Sequence, residues 1–317
     1  NNQQKFFFSD NGSTAVEAAL KMAFQYWFNR NEKRTKVLAF EGAYHGDTFG
    51  SMSVSARGLF TNPFKPLLFD ILTIPVPTEN NIKEVLALVD QLIQEHAIAS
   101  FIYEPLVQGA NGMVIYDAAH LELILQKLKS ANVLLIADEV MTGFGRTGKM
   151  FASEYMNTKP DIMCFSKGLT AGAMPMGLTS CAQSIYDAFY DDNKEKTFFH
   201  GHSFTGNPLG CAVALASLEL FDTEKTLDKV ATITAWNKKA VASLQHNKAF
   251  ENIASQGTVL RFDIKTNEST SYLNAVKLRC MEFFKAQNIL IRPLGNVLYF
   301  LPPYCTTETE LNHLLQT

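Results

Sequence analysis

The 317-residue sequence has no run of lysine and arginine, no C-x-x-C pair, no internal repeat, no low-complexity segment and no long apolar stretch. Each absence closes a class of function. A membrane helix needs about 18 or more consecutive apolar residues, so no membrane partner is expected. With 28 Lys+Arg against 31 Asp+Glu and a formal net charge of -3, no basic field exists to draw in nucleic acid. The five cysteines, Cys164, Cys181, Cys211, Cys280 and Cys305, are scattered without ligand spacing. That argues against a metal site or a disulfide framework and makes a reducing cytoplasm the expected compartment. The polar start "NNQQK" is no signal peptide. It is abrupt, Phe6 to Phe8 running straight into a loop and a helix as though an upstream portion precedes it.

What is present is an ordinary globular composition, 47% hydrophobic and 19% charged, long enough for one large core and a smaller domain. The stretch "GFGRTGKM", Gly143 to Met150, comes within one residue of a nucleotide-triphosphate loop. That loop needs Ser or Thr after its lysine to ligate magnesium, and Met150 supplies a thioether instead. The strand before it also delivers Asp138 and Glu139, which would repel phosphates. An NTPase is disfavoured, and the question becomes what Asp138 is for.

Helical and strand patterns alternate, which predicts an α/β sheet. "KVLAF", "SFIYEPL", "NVLLIADEV" and "DIMCFS" read as short buried strands, separated by helices such as 81–95 and 118–130, with a further helix over 14–28. Each strand exits into polar or glycine-rich residues, and ligands of open α/β sheets sit beyond the carboxyl ends of strands. After "GHSFTGNPLG" helical patterns run from 207 to about 246. The tail, with "TVLRFDI", a helix around 272–287 and "NVLYFLPP", predicts a small α+β layer, giving domains over 1–222 and 223–317.

Four features at those exits carry chemistry. Lys167 in "FSKGLT" follows a buried strand, where a partly desolvated amine is a nucleophile for Schiff-base formation, although most lysines are surface residues. Asp138 closes an apolar strand and requires a cationic partner; the pyridinium nitrogen of pyridoxal 5'-phosphate is one, Arg146 or a turn is the plainer alternative. Gly12, Ser13 and Thr14 open a helix whose N-terminal N–H groups suit a monophosphate, while Ser and Thr also cap helices for structural reasons alone. Tyr44 in "EGAYHGDT" is placed to lay its ring on a flat cofactor, or simply to pack, between Gly42 and Gly46. His45 is an acid–base candidate or a structural histidine. Glu139 is given a structural role.

In this order, "NGSTAVEAALKMA", "AYHGDTFGSMS", "EPLVQGANGM" and "LLIADEVMTGFGRTGKMFASEY...PDIMCFSKGL" resemble the class III pyridoxal-phosphate aminotransferases of fold type I. The resemblance implies a large domain with a mainly parallel seven-stranded sheet flanked by helices, plus a smaller C-terminal α+β domain. It implies Lys167 as the Schiff-base lysine and Asp138 as the ring-nitrogen acid, with Tyr44 on the ring and Gly12 and Ser13 on the phosphate. It implies further that Gly201 and Ser203 reach a neighbouring subunit's site in a homodimer, and that Arg292 in "IRPLGN" receives a substrate carboxylate. "GFGRTGKM" becomes the loop after the Asp strand, with Arg146 and Lys149 mainly structural. His202 departs from the Pro of some relatives. "TFFHGHSFTGNPLGCAVAL" and "ILIRPLGNVLYFLPPY" point to the biotin-pathway branch, whose small-molecule partners are S-adenosylmethionine and 8-amino-7-oxononanoate. Met141, where many other members carry Gln, agrees with that branch; another ω-amino-acid or diamine aminotransferase is the alternative.

Overall fold

The computed structural model describes residues 2–267, 270 and 272–317. Nine strands come first: β1 (Gln3–Ser9), β2 (Lys36–Phe40), β3 (Leu72–Ile74), β4 (Ile98–Tyr103), the short β5 (Val107–Gln108) and β6 (Val114–Ile115), then β7 (Leu134–Asp138), β8 (Ile162–Phe165) and β9 (Gly177–Ala182). Seven of them form one sheet in the order β1-β9-β8-β7-β4-β2-β3, while β5 and β6 pair with each other. From β3 to β8 along the sheet every pairing is parallel; β9 alone is reversed, antiparallel to both of its neighbours, β8 and β1. This is the mainly parallel sheet of fold type I.

Six helices flank or follow this sheet: α1 (Gly12–Asn29), α2 (Phe49–Ser53), α3 (Ile82–Glu95), α4 (Ala118–Ser130), α5 (Gln183–Asp187) and α6 (Pro208–Thr223). All of β4 and β7 is buried, because parallel strands are covered by helices on both faces. Their alternation divides the core. Leu135 and Ala137 face a cluster with Leu121, Ile124 and Leu125 of α4, while Leu134 and Ile136 face Val16, Leu20 and Trp27 of α1. Each buried leucine, isoleucine or valine among them contributes about 1.5–3 kcal/mol, so the middle of the sheet is its most rigid part. α1 starts at Gly12, two residues before its apolar periodicity, because the side chain of Asn11 accepts the Thr14 N–H and the Asn11 N–H returns to Thr14 Oγ1.

β1 is a difference from the sequence reading, which gave Phe6 to Phe8 no strand: that aromatic run pairs with β9 along the sheet edge, leaving Phe6 59% exposed. After α6 the chain turns through Lys225, at φ 48°, into α7 (Thr226–Leu244). A second layer follows, the antiparallel sheet of β10 (Phe250–Gln256), β11 (Val259–Ile264) and β12 (Val297–Phe300) with α8 (Val276–Ala286) and α9 (Glu308–Gln316). Ile233, Trp236, Leu260, Phe262, Phe284, Leu298 and Phe300 form its core. α8 is shorter than the helix expected over 272–287, because the Asn274 side chain accepts the Val276 N–H and starts the helix there. Among the described residues no helix is long and apolar enough to cross a membrane.

The two layers are latched at the loop after β7. Thr258 N–H donates to Arg146 O at 3.0 Å, Gln256 Nε2 to Thr147 O at 2.9 Å, and Arg146 Nη1 to Thr258 Oγ1 and Pro302 O. Gly257 sits in this contact at φ +57°, and a Cβ there would fall 2.1 Å from the Thr147 carbonyl carbon. Both the dihedral and the clash exclude a side chain. Gly257→Ala should therefore destabilise the protein by more than about 2 kcal/mol; equilibrium denaturation with an unchanged midpoint would refute the latch.

Candidate active site

β7 and β8 are adjacent and parallel, with Asp138 opposite Cys164 in register. Asp138 ends β7, and Lys167 lies three residues beyond Cys164, in the single 3-10 turn Lys167–Thr170 that follows β8. Register alone therefore brings the two to one edge of the sheet. Lys167 has φ 41°, a left-handed conformation that costs a non-glycine residue about 1–2 kcal/mol. Its turn is held down by Gly168, where a Cβ would lie 2.8 Å from Phe144 Cβ, and by Ser217 Oγ of α6 donating to Gly168 O. The GFGRTGKM loop thus forms the floor of the lysine's turn: Phe144 is buried beneath it, and Phe144 O accepts the Tyr304 hydroxyl. Lys167 is exposed in the protomer rather than partly desolvated, because its turn stands outside the strand ends.

Asp138 is 5% exposed. Its Oδ1 accepts the Val140 N–H at 3.1 Å and its Oδ2 the His45 Nδ1 proton at 2.7 Å. His45 is itself buried, its N–H donating to Ser55 Oγ, and among the described residues its Nε2 has no hydrogen-bond partner. Gly12 closes on the same place: a Cβ there would fall 2.8 Å from Val140 Cγ1 and 3.6 Å from Ser166 Cβ. Ser13 Oγ accepts the Asp47 N–H at 2.9 Å and would touch any side chain on Gly46, which has φ +128°. Tyr44, 37% exposed, donates its hydroxyl to Asp47 Oδ2 at 2.8 Å. Burial, then the Asp47 carboxylate, pushes its phenol far above the ordinary range, so it remains a neutral donor. Lys167, Asp138, Tyr44, Gly12 and Ser13 are brought together in this way.

Gly201, Ser203 and Arg292 are not part of that cluster within one protomer. The loop carrying Gly201 and Ser203 is anchored at its base, where Lys21 Nζ donates to Phe199 O, and its tip is exposed. A Cβ on Gly201 would meet nothing within 4 Å. Arg292 is exposed before β12, near Tyr272 and Tyr299, and among the described residues makes no hydrogen bond with Lys167, Asp138 or Tyr44.

Pyridoxal 5'-phosphate fits these residues. The site offers a buried acid backed by an imidazole, an exposed amine on the next strand and an aromatic ring on the loop after β2. At the α1 N-terminus the Gly12 and Ser13 N–H groups carry no hydrogen bond among the described residues, which is the arrangement a phosphate uses. The aminotransferase class-III family model matches residues 1–317. The chain belongs to the class III aminotransferases. A relative from Synechococcus elongatus, named adenosylmethionine-8-amino-7-oxononanoate aminotransferase, is 46% identical over 98% of this chain and 74% of its own length. A crystal structure of the protein of that name from Methanocaldococcus jannaschii superposes with a TM-score of 0.93 at 35% identity, covering 99% of this chain and 74% of that one. A pyridoxal-phosphate-bound amine transaminase from an uncultivated Pseudomonas species has a TM-score of 0.92 at 28% identity, covering 99% and 76%. The protein is accordingly a transaminase whose cofactor is pyridoxal 5'-phosphate.

Two acidic residues of this aminotransferase frame the site. Glu139 is fully buried and accepts from Thr142 Oγ1, the Ala152 N–H and the Ser153 N–H, which ties down the loop between them. Glu104, first residue after β4, had no role in the sequence reading, although an acid directly after an apolar strand is the signal that singled out Asp138. It is 6% exposed; Oε1 accepts the Tyr44 N–H at 3.1 Å and Oε2 the Gly109 N–H at 2.9 Å. Burial raises its carboxyl to about 7. The folded protein therefore holds this proton more tightly than the unfolded chain, and ionising Glu104 removes stability as pH rises from about 4.5 to 7. Glu104→Gln, which has no proton to lose, should gain about 3 kcal/mol on wild type across that interval. Urea unfolding at both ends of it measures the gain, and parallel pH dependences for the two proteins would contradict the assignment.

Proposed function

We propose that this aminotransferase moves the amino group of S-adenosylmethionine to 8-amino-7-oxononanoate, giving 7,8-diaminononanoate for biotin synthesis. The observation that carries the reading is the placement of Lys167 and Asp138 on neighbouring strand ends in a chain 46% identical to a relative of that name. Atoms balance without an external oxidant: the donor's amine becomes a carbonyl and the acceptor's carbonyl becomes an amine. Pyridoxal 5'-phosphate supplies, when bound, an aldehyde to carry the amino group and a cationic ring to delocalise the electron pair left by the broken C–H bond.

The protein's own groups do the rest. Lys167 Nζ is the amine that would hold the cofactor and the base that would take the proton from the donor carbon and give it back. Asp138, backed by His45, would hold the ring nitrogen of the bound cofactor. Tyr44 supports one face of the ring, and Gly12 and Ser13 bind the phosphate. Arg292 receives the acceptor's carboxylate in a two-pronged contact.

Ser203 and Gly201 complete the site of a second copy in a homodimer. This is supported by their exposed loop and by α6 beside it, which leaves Leu209, Leu215, Leu218 and Leu220 open to solvent at 39–68%, an apolar face that a partner would cover. Residues 1–222 form the cofactor domain and 223–317 the small domain. The five free cysteines agree with a reducing cytoplasm. A second reading, transamination of another ω-amino donor, is favoured by the likeness to the amine transaminase structure.

Lys167→Ala should lower turnover by at least about 10³-fold and abolish the shifted visible band of lysine-bound cofactor; a normal rate would refute its role. Asp138→Asn should retain cofactor yet slow proton removal more than about tenfold, measured in a single half-reaction. S-adenosylmethionine should bleach the visible band and 8-amino-7-oxononanoate restore it, whereas bleaching by a simple diamine alone would favour the second reading.

A further inference from the structure

Glu104 is buried between the two loops that border the ring site. Among the described residues its carboxylate is the sole acceptor of the Tyr44 N–H after β2 and the Gly109 N–H after β5, so two chain segments far apart in sequence meet on one side chain. Its own carbonyl accepts the Tyr116 hydroxyl, which fixes where the side chain starts. Gly109 is pinned from the other side, since a Cβ on it would fall 2.5 Å from Met141 Sδ and 3.6 Å from Glu104 Oε2. The charged and titratable groups facing Glu104 are His45, Asp138, Tyr44 and Tyr116. Of these only His45 can carry positive charge, and its Nδ1 is already engaged by Asp138.

We propose that ionised Glu104 is a positioning residue that fixes the main chain beneath the Tyr44 ring by bridging it to the Gly109 loop, and that protonation of Glu104 releases one side of this bridge. A carboxylate accepts both N–H groups at once. A neutral carboxyl carries a proton on one oxygen, and that oxygen becomes a poor acceptor for an N–H. Burial raises the Glu104 carboxyl to about 7, which puts the change within reach of mild acidification. The inference builds on the aminotransferase reading, in which Tyr44 supports the cofactor ring, but the bridge itself belongs to the protein alone.

The test is amide hydrogen exchange of the protein without added cofactor, read by mass spectrometry on peptides spanning residues 41–47 and 105–113 between pH 5.5 and 8.5, after correction for intrinsic exchange. Burial raises the Glu104 carboxyl while the Gly109 and Tyr44 N–H groups lower it, so acid stabilises the fold against global unfolding yet favours a local opening that breaks the bridge with the side chain still buried. Through that opening wild type should lose about tenfold protection in at least one of these peptides on acidification. Glu104→Gln should show the low protection at every pH, because its amide presents one acceptor and one donor. Glu104→Asp, retaining the charge on a shorter arm, should keep a pH step with reduced amplitude and stands in if the Gln variant does not fold. A step that persists in Glu104→Gln, or equal protection in all three proteins, would overturn the proposal. A transamination assay on the wild type separates the two claims: activity without the exchange step removes the Glu104 bridge alone, and the exchange step without activity removes the functional reading alone.

Discussion

A carboxylate withdrawn from water must be compensated, and the arrangement of this protein follows from how Asp138 is compensated. One of its oxygens takes a backbone N–H from Val140, and the other takes the His45 ring proton at 2.7 Å. That pairing commits the loop after β2 to lie over the end of β7. Ser13 then takes the Asp47 N–H and brings the start of α1 to the same edge. The cost of burying one acid is thus offset by contacts that also assemble three segments around it.

Such close assembly is possible only where backbones approach one another without side chains between them. Around this site Gly12 against Val140, Gly46 against Ser13 and Gly168 against Phe144 are among the positions where a Cβ would be within 3 Å of a neighbour. The rigid centre of the sheet, with β4 and β7 buried on both faces, holds these loops at fixed spacing. Function in this fold is therefore placed on short loops whose anchors are among the least mobile parts of the molecule.

The central strands were legible because two-sided burial turns a parallel strand into an unbroken apolar run, and the charges ending "LLIAD" and following "IMCFS" stand out against it. The strands at the margins were not. β9 contains Thr179 and Ser180, whose hydroxyls are satisfied by Ala15 O and Gln3 Oε1 across long stretches of sequence, and β10 is largely polar. Lys167 and Asp138 could be picked out one by one, yet only the strand register makes them neighbours. The pairing of His45 with Asp138 and the bridge at Glu104 join residues 93 and 60 positions apart, a relation no local pattern encodes. Nor does any periodicity tell that the loop of Gly201 and Ser203 stands exposed, apart from the cluster around Asp138.

The floor under Lys167 has a longer reach than its position suggests. Gly168 rests on Phe144, whose carbonyl is held by the Tyr304 hydroxyl, while the Arg146 guanidinium lies 4.9 Å from the centre of the Tyr304 ring. A tyrosine in the final stretch of the chain is thus a mechanical support for chemistry specified midway along it. Lys167 is synthesised long before the brace beneath its turn emerges, so a nascent chain halted short of Tyr304 already carries Lys167 and Asp138 and lacks the contact that steadies the lysine's turn.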